Sequence, residues 1–415
     1  MSSRSRLVHN GDYLRLMSGQ AISSLGSAMS SFVFALLGLA ITGSPVQAGL
    51  VGAASALGGT IAALPAGALV DRLSRRKVLI ACGATGAVLY GSVALAGWVD
   101  RLTIVQLIIV AFGTGVGYAF FQPAQIAALR QIVDPRDLGT AMATNEGREH
   151  AASLLGGPLG GALYSVGRMI PIAFDAASYL VLTVLLATIR KPLPAPAPDG
   201  EKHQPIFASI RTGLSWLFHQ PAIRVIALVA TLLNFALSGT LLVLILSMQQ
   251  RGVPTPVIGL LETGIGVGGL LGAFAAPRIL ARFTTGTVAV GAGWVIALTF
   301  VATAFTRQPA VLIALLSAAI FLTPAVNSGL FGYQTLITPD QMQGRALSAI
   351  GFLATGIRPL APVLGGFLLA TFGTRTAVLV FGGVLTLSAV LLTVSRPIRT
   401  IPLLSDVAAA TTQPA

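Results

Sequence analysis

The sequence predicts an all-α integral membrane protein with twelve transmembrane helices arranged as two pseudo-symmetric six-helix halves. Three observations predict it. First, 54% of the 415 residues are hydrophobic and only 9% are charged, whereas a soluble domain carries about 25% charge. Too few polar groups remain to cover a soluble exterior, so bilayer is the solvent that suits the chain. Second, a spanning helix needs about 20 mostly apolar residues, and twelve such runs succeed one another. Third, the halves repeat. Residues 49–73 align without gaps on 259–283, where Gly49, Leu50, Gly58, Gly59, Ala63, Ala66 and Arg72 meet Gly259, Leu260, Gly268, Gly269, Ala273, Ala276 and Arg282. Further on, Gly160 and Gly161 meet Gly365 and Gly366.

The runs are 13–41, 48–70, 78–98, 102–127, 140–164 and 172–190, then 222–247, 257–280, 287–306, 310–334, 345–370 and 376–395. The first is longer than a span requires, so its start is interfacial or tilted. It is too long for a signal-peptide core and is expected to stay as a helix. After the sixth run, Pro192, Pro194, Pro196 and Pro198 alternate with other residues, which excludes helix and marks an extended linker. Ile206, Phe207, Ile210, Leu214, Leu217 and Phe218 then recur at helical spacing, as in an amphipathic helix on a membrane surface. The expected organisation is therefore 1–190, a linker with amphipathic helix at 191–220, a second half at 221–395 and a tail at 396–415.

Orientation follows from Lys and Arg in short loops. Numbering the loops alternately puts nineteen cations on the side of the N-terminus and five (Arg101, Arg168, Arg251, Arg307 and Arg375) on the other. Both termini and the linker are expected to be cytoplasmic, in a cell inner membrane. The net charge of +13 is thereby read as topology, and no nucleic-acid partner is expected. Cys82 is the single cysteine, so no intramolecular disulfide or cysteine metal cluster is possible. Gly264, Gly266 and Gly269 match a dinucleotide-binding pattern by letter but follow no strand. Without a P-loop or a catalytic constellation, no enzyme, metal or cofactor is expected.

The densest charge lies at Asp71, Arg72, Arg75, Arg76 and Lys77, just after Gly67. Besides anchoring topology, Asp71 can accept from a neighbouring helix N-terminus, so Gly67, Asp71, Arg72, Arg75 and Arg76 are candidates for a conformational latch. The repeat has Ala281 where the first half has Asp71. Asn145, Glu146, Arg148, Glu149 and His150 crowd the fifth run. Ionisable groups inside a spanning helix are expensive and usually face a cavity. The i, i+3, i+4 spacing puts Glu146, Glu149 and His150 on one face, and Arg148 stands beside them. Those four, with Asp175 and Glu262, are the proton-coupling candidates; Asp175 could instead be a helix cap. Arg358, mid-run before Pro359, with Asn145, Tyr118 and Phe235, is a substrate-cavity candidate. Gly156, Gly157, Pro158, Gly160 and Gly161 form a candidate hinge and close-packing motif in the fifth run.

These motifs resemble the major facilitator superfamily over essentially the whole chain. Gly67, Asp71, Arg72, Arg75 and Arg76 fit its loop between helices two and three, with Ser74 departing from the usual Gly. Gly157, Pro158, Gly160 and Gly161 are similar to the signature of drug:proton antiporters. Leu14, Arg15, Gly19, Gln20, Ser23 and Gly26, then Phe174, Asp175 and Ser178, then Gln343, Gly344, Arg345 and Ala346, resemble the enterobactin-exporter and macrolide-efflux branch. The resemblance implies secondary active export of a small amphipathic compound (drug, antibiotic or siderophore) by proton antiport and alternating access. Energy would come from the proton gradient, and the chain would act as a monomer in the bilayer. Two departures stand out: Ser27 replaces the acid many relatives carry in helix one, and 102–129 holds no Arg. A lipid or lysolipid flippase is the alternative on the same scaffold, and a non-transporting membrane sensor a remoter one.

Overall fold

Caps and breakers set the helix ends. The computed structural model describes residues 3–70, 72–194, 215–338 and 343–403. A short helix, α1 (Ser3–His9), precedes α2 (Gly11–Thr42). The Asn10 side chain accepts from the Tyr13 N–H at 3.1 Å, and Gly43 ends α2 in the left-handed region at φ 66°. There follow α3 (Pro45–Val70), α4 (Arg75–Trp98), α5 (Ile104–Ile132), α6 (Leu138–Val166) and α7 (Ile170–Ala187). Then come α8 (Pro221–Gln250), α9 (Thr255–Arg282), α10 (Thr285–Thr303), α11 (Pro309–Phe321) and α12 (Thr323–Ile337). The chain closes with α13 (Gln343–Gly356), α14 (Leu360–Val394) and α15 (Arg396–Arg399). Hydroxyls of Thr103 and Thr284 cap α5 and α10, satisfying N–H groups that have no partner inside the helix.

The architecture is all-helical and multi-pass, with no strand among the described residues. By length and composition, 10 helices among the described residues can cross a membrane. To these α6 adds a charged 29-residue helix, and Gly373, at φ 77° and ψ 174°, breaks α14 in two. The described residues therefore account for twelve spans. One expectation needs correction. Arg358 is not within a helix: α13 stops at Gly356 and α14 starts at Leu360. Arg358 occupies the turn between them, its N–H donating to the Thr355 carbonyl at 3.0 Å and its side chain exposed. Pro359 supplies the reason, since it lacks the N–H that would continue the ladder. Of the amphipathic segment expected before α8, residues 206–214 lie outside the described residues; 215–219 are helical.

The chain divides into two compact units, Met1–Lys202 with Met248–Thr263, and His203–Ser247 with Gly264–Ala415. In the first, α2 packs on α3, α6 and α7, α3 packs along α5, and α4 packs on α5 and α7. Tyr13, Leu16, Leu79, Leu129, Leu182 and Leu186 form a buried cluster at the end nearest α1. There Arg6 donates to both Asp137 carboxylate oxygens at 2.8 and 2.5 Å, tying α1 to the start of α6. That bidentate pairing holds the Arg6 guanidinium above its ordinary value. In the second unit, α10 packs on α11, α12 and α14, and the Trp294 Nε1–H donates to Thr393 at 3.0 Å.

The repeat is physical as well as textual. A Cβ on Gly58 would strike the Phe112 carbonyl of α5, and one on the equivalent Gly268 would strike the Ser317 carbonyl of α11. Likewise Gly160 lies on the Met29 backbone and Gly365 on the Gly239 carbonyl. Gly58→Ala and Gly268→Ala are each expected to destabilise by about 1–3 kcal/mol, the usual cost of overpacking. Gly91, with nothing near a Cβ position, should accept Ala without loss. Thermal unfolding of the three detergent-solubilised variants checks this.

Candidate functional site

The most heavily bonded ionisable group inside the spans is Arg148 on α6. Its side chain is 8% exposed. It donates to the Gln20 carbonyl at 2.9 Å and to the Ser24 hydroxyl, both on α2. On its own helix it donates to Asn145 Oδ1 and Glu149 Oε1, each at 3.1 Å. Position dictates this fan: Asn145 lies one turn before Arg148 and is buried, while Gly156 and Gly160 bring α6 against Ala28 and Met29 of α2. A buried guanidinium needs such partners, because an unpaired charge in an apolar interior costs several kcal/mol.

From Glu149 the network runs outward. Glu149 Oε1 accepts from Gln125 Nε2 at 3.3 Å, Gln125 donates to Gln122 Oε1 at 2.9 Å, and Gln122 donates to the Tyr118 hydroxyl at 2.7 Å. Gln125 is buried and Tyr118 is 64% exposed. One end is thus a buried guanidinium paired with a carboxylate that is 40% exposed, and the other is the open Tyr118 hydroxyl, with only hydrogen-bonding groups between. Such an arrangement can reorganise when the charge of the carboxylate changes. Ser24, Gln122 and Gln125 were missed by the sequence reading, and Gln20 entered it only as part of a family motif. Glu146 and His150 are exposed and stand outside the network.

A second acid is wholly enclosed. Asp175 of α7 is 0% exposed, so it is not the helix cap entertained from sequence; Met169 occupies the N-cap. Ser178 donates to Asp175 Oδ1 at 3.1 Å, and Ser27 of α2 lies 3.4 Å from the same oxygen and donates to the Tyr179 hydroxyl at 3.1 Å. Oδ2 has no partner among the described residues. Gly26 leaves room for the carboxyl, since a Cβ there would lie 2.5 Å from Oδ1. Ser27, where an acid was looked for in the first span, therefore faces an acid on the sixth.

Glu262, on the part of α9 that belongs to the first unit, lies against α6. Its Oε2 would be 2.9 Å from a Cβ on Gly157, and Gly161 abuts Thr255 and Pro256. The Thr263 hydroxyl donates to the Leu154 carbonyl at 3.1 Å. The glycine motif of α6 thus has two working faces, Gly156 and Gly160 on α2, Gly157 and Gly161 on α9. In the second unit, α8, α10, α12 and Leu392 enclose a cavity of about 560 Å³ with Asn327, Ser328 and Gln334 among mostly apolar walls. Phe331 lines it; Phe235 instead packs on Phe381 at 5.7 Å.

Of the loop after α3, Asp71 lies outside the described residues, Gly67 closes the last turn of α3, and Arg72 is exposed. Arg75 is 3% exposed and donates to the Pro194 carbonyl at 3.0 Å, beside Ser74 donating to the Leu193 carbonyl at 3.1 Å. Arg76 donates to the Ala187 carbonyl, one of the acceptors left open at the end of α7. Asp12 accepts from the Arg190 and Lys191 N–H groups at 3.0 and 2.9 Å. The chain leaving α7 is thus strapped to the bundle by Asp12, Ser74 and Arg75. Asp12 was another omission of the sequence reading.

Residues 16–358 match the family model described as Major Facilitator Superfamily. The multidrug efflux pump Tap of Mycolicibacterium fortuitum is 26% identical over 377 residues, 86% of this chain and 88% of that protein. An uncharacterized transporter of this type in Bacillus subtilis, YceJ, is 30% identical over 229 residues, 54% and 55% of the two chains. Among solved structures, a bacterial homologue of the lysosomal transporter Spinster superposes with TM-score 0.70 at 16% identity, over 100% of this chain and 99% of that one. The nucleoside transporter NupG gives 0.71 at 14% identity, over 92% and 100%. At such identities these two likenesses speak for the fold alone.

Two outcomes are expected. Arg148→Met strands the Gln20 carbonyl, Ser24 and Asn145 and should cost about 1–3 kcal/mol of stability, whereas Glu149→Gln, which can still accept from Gln125, should cost less than half as much; denaturant unfolding compares them. Arg75→Ala should expose the strapped segment. With Leu193→Cys as reporter, 3% exposed as leucine, and Cys82→Ser as background, thiol labelling should speed at least several-fold on adding Arg75→Ala.

Proposed function

The chain belongs to the Major Facilitator Superfamily and is a multi-pass membrane transporter, and from that premise we propose that it exports a small amphipathic compound by proton antiport. The observation that carries this reading is the ion pair of Arg148 and Glu149, with its hydrogen-bonded path to an exposed end. A charged Glu149 satisfies the buried guanidinium. A proton on Glu149 removes the counter-charge, leaving a neutral carboxyl oxygen as acceptor, and shifts Arg148 toward its α2 acceptors and Asn145. The site thus offers two arrangements that differ by one proton, the element a coupled carrier needs. Similarity to Tap, whose printed function is multidrug efflux, favours export over uptake. The cavity beside Asn327 and Gln334, mostly apolar with a few polar groups, suits an amphipathic substrate such as a drug, antibiotic or siderophore.

Transport follows alternating access, the first six spans moving against the last six. The side that gathers nineteen cations faces the cytoplasm of an inner membrane, with both termini there. Asp175 and Glu262 stand as further proton sites, and the chain works as a monomer.

Everted vesicles test the reading. An amphipathic dye should accumulate in them only while a pH gradient stands. Glu149→Gln should cut gradient-driven accumulation at least tenfold while dye binding persists. Accumulation indifferent to a collapsed gradient removes proton coupling. Preference for long-chain lysolipid over every dye moves the substrate class to lipids.

A further inference from the structure

We propose that the end of the first unit farthest from α1 carries a binding site for the zwitterionic headgroup of an ethanolamine phospholipid, with Arg168 taking the phosphate and Asp100 the ammonium. The site is a cavity of about 480 Å³ where α2 and α4 end and α7 begins. That volume lies within the usual range of small-molecule sites, about 300–1,000 Å³. Its apolar walls include Leu37, Ile41 and Ile170, and Trp98, Asp100 and Arg168 complete it.

Three independent observations point to this occupant. The first is depth: the lining residues sit where spanning helices finish, so the cavity lies at a bilayer boundary. Trp98 is 60% exposed there, as expected of an aromatic at the level of the headgroups. Val99 and Val166, 63% and 78% exposed, flank it as an apolar collar for acyl chains.

The second is charge. Arg168 and Asp100, both exposed, line one open cavity, yet no ion pair or side-chain hydrogen bond joins either of them to a described residue. Two opposite charges held in one cavity without bridging each other fit a ligand carrying both signs. A primary ammonium can donate to the Asp100 carboxylate; a quaternary choline has no N–H to give. An anionic glycerol headgroup would meet Arg168 favourably and Asp100 unfavourably.

The third is backbone. Asp100 is the one non-glycine described residue with positive φ, 51°. Asp is among the few side chains that tolerate this region, and backbone strain of this kind is concentrated at ligand sites. Asn tolerates it equally, so Asp100→Asn removes charge without disturbing the turn.

The test uses the full-length protein in vesicles of phosphatidylethanolamine and phosphatidylglycerol, or phosphatidylcholine and phosphatidylglycerol, both 7:3. Lipid co-purifying after brief detergent extraction is counted by mass spectrometry. Wild type should retain phosphatidylethanolamine about tenfold over either competitor, the worth of one charge-assisted pair. Arg168→Gln and Asp100→Asn should each abolish that preference. Arg101→Gln, beside the cavity but outside its lining, should keep it. Equal retention of ethanolamine and choline lipids by wild type overturns the proposal, whatever the variants do. So does equal retention of phosphatidylglycerol, or a preference that survives Asp100→Asn. Soluble phosphoethanolamine at millimolar concentration should not compete; if it displaces the lipid fully, the site reads a free headgroup and the membrane assignment fails.

Discussion

Contact between backbones holds each unit together. Lipid tails are as apolar as leucine, so helices gain nothing by hiding apolar side chains from them; association rests on close packing and buried polar bonds. Gly58 and Gly115 let α3 and α5 meet carbonyl to backbone, and Gly264, Gly268 and Gly272 do the same for α9 and α11. Methyl groups at these points would wedge the helices apart. Glycines, which would weaken soluble helices, are at these points placed where two backbones touch.

That closeness decides where charge can sit. Arg148 reaches the Gln20 carbonyl only because Gly156 and Gly160 let α6 lie directly on α2. Asp175 fits between α2 and α7 only because position 26 has no side chain. Arg148 and Asp175 are thus each accommodated by a glycine on the same or the facing helix. The two clusters differ in kind. Around Arg148 the charge is matched and the network reaches an exposed end. Around Asp175 there are hydroxyls and one unpartnered oxygen, so the carboxyl has company but no counter-charge within bonding distance.

How much of this could be read in the chain depends on the kind of signal. Apolar runs, the halves' repeat and the charged cluster of the fifth span are composition and spacing, and they were legible. Ser24 and Gln125 were not, because single uncharged polar residues in apolar runs carry no periodicity that separates a network from a surface. Asp12 and Arg75 find partners 178 and 119 residues away, a distance that sequence spacing does not report. Arg358 was misplaced although Pro359 was in view: an apolar run continued on both sides, and hydropathy outweighed the missing donor. Asp175 was open to a capping role because the first residue of α7 was uncertain by two, enough to exchange an N-terminal position for a buried one.

The halves also solve one problem in two ways. After its sixth helix, each turns back on the start of its third. In the second unit the Thr285 and Gly286 N–H groups at the head of α10 donate to the Pro402 and Ile401 carbonyls at 3.3 and 3.2 Å. In the first, the corresponding head of α4 uses side chains: Ser74 and Arg75 donate to Leu193 and Pro194. A backbone pairing fixes the returning chain at one short distance. A guanidinium reaches farther and can change its acceptor without unwinding the helix that carries it. The basic loop therefore holds its strap by a bond that can be exchanged, where the second half holds its own by bonds that cannot.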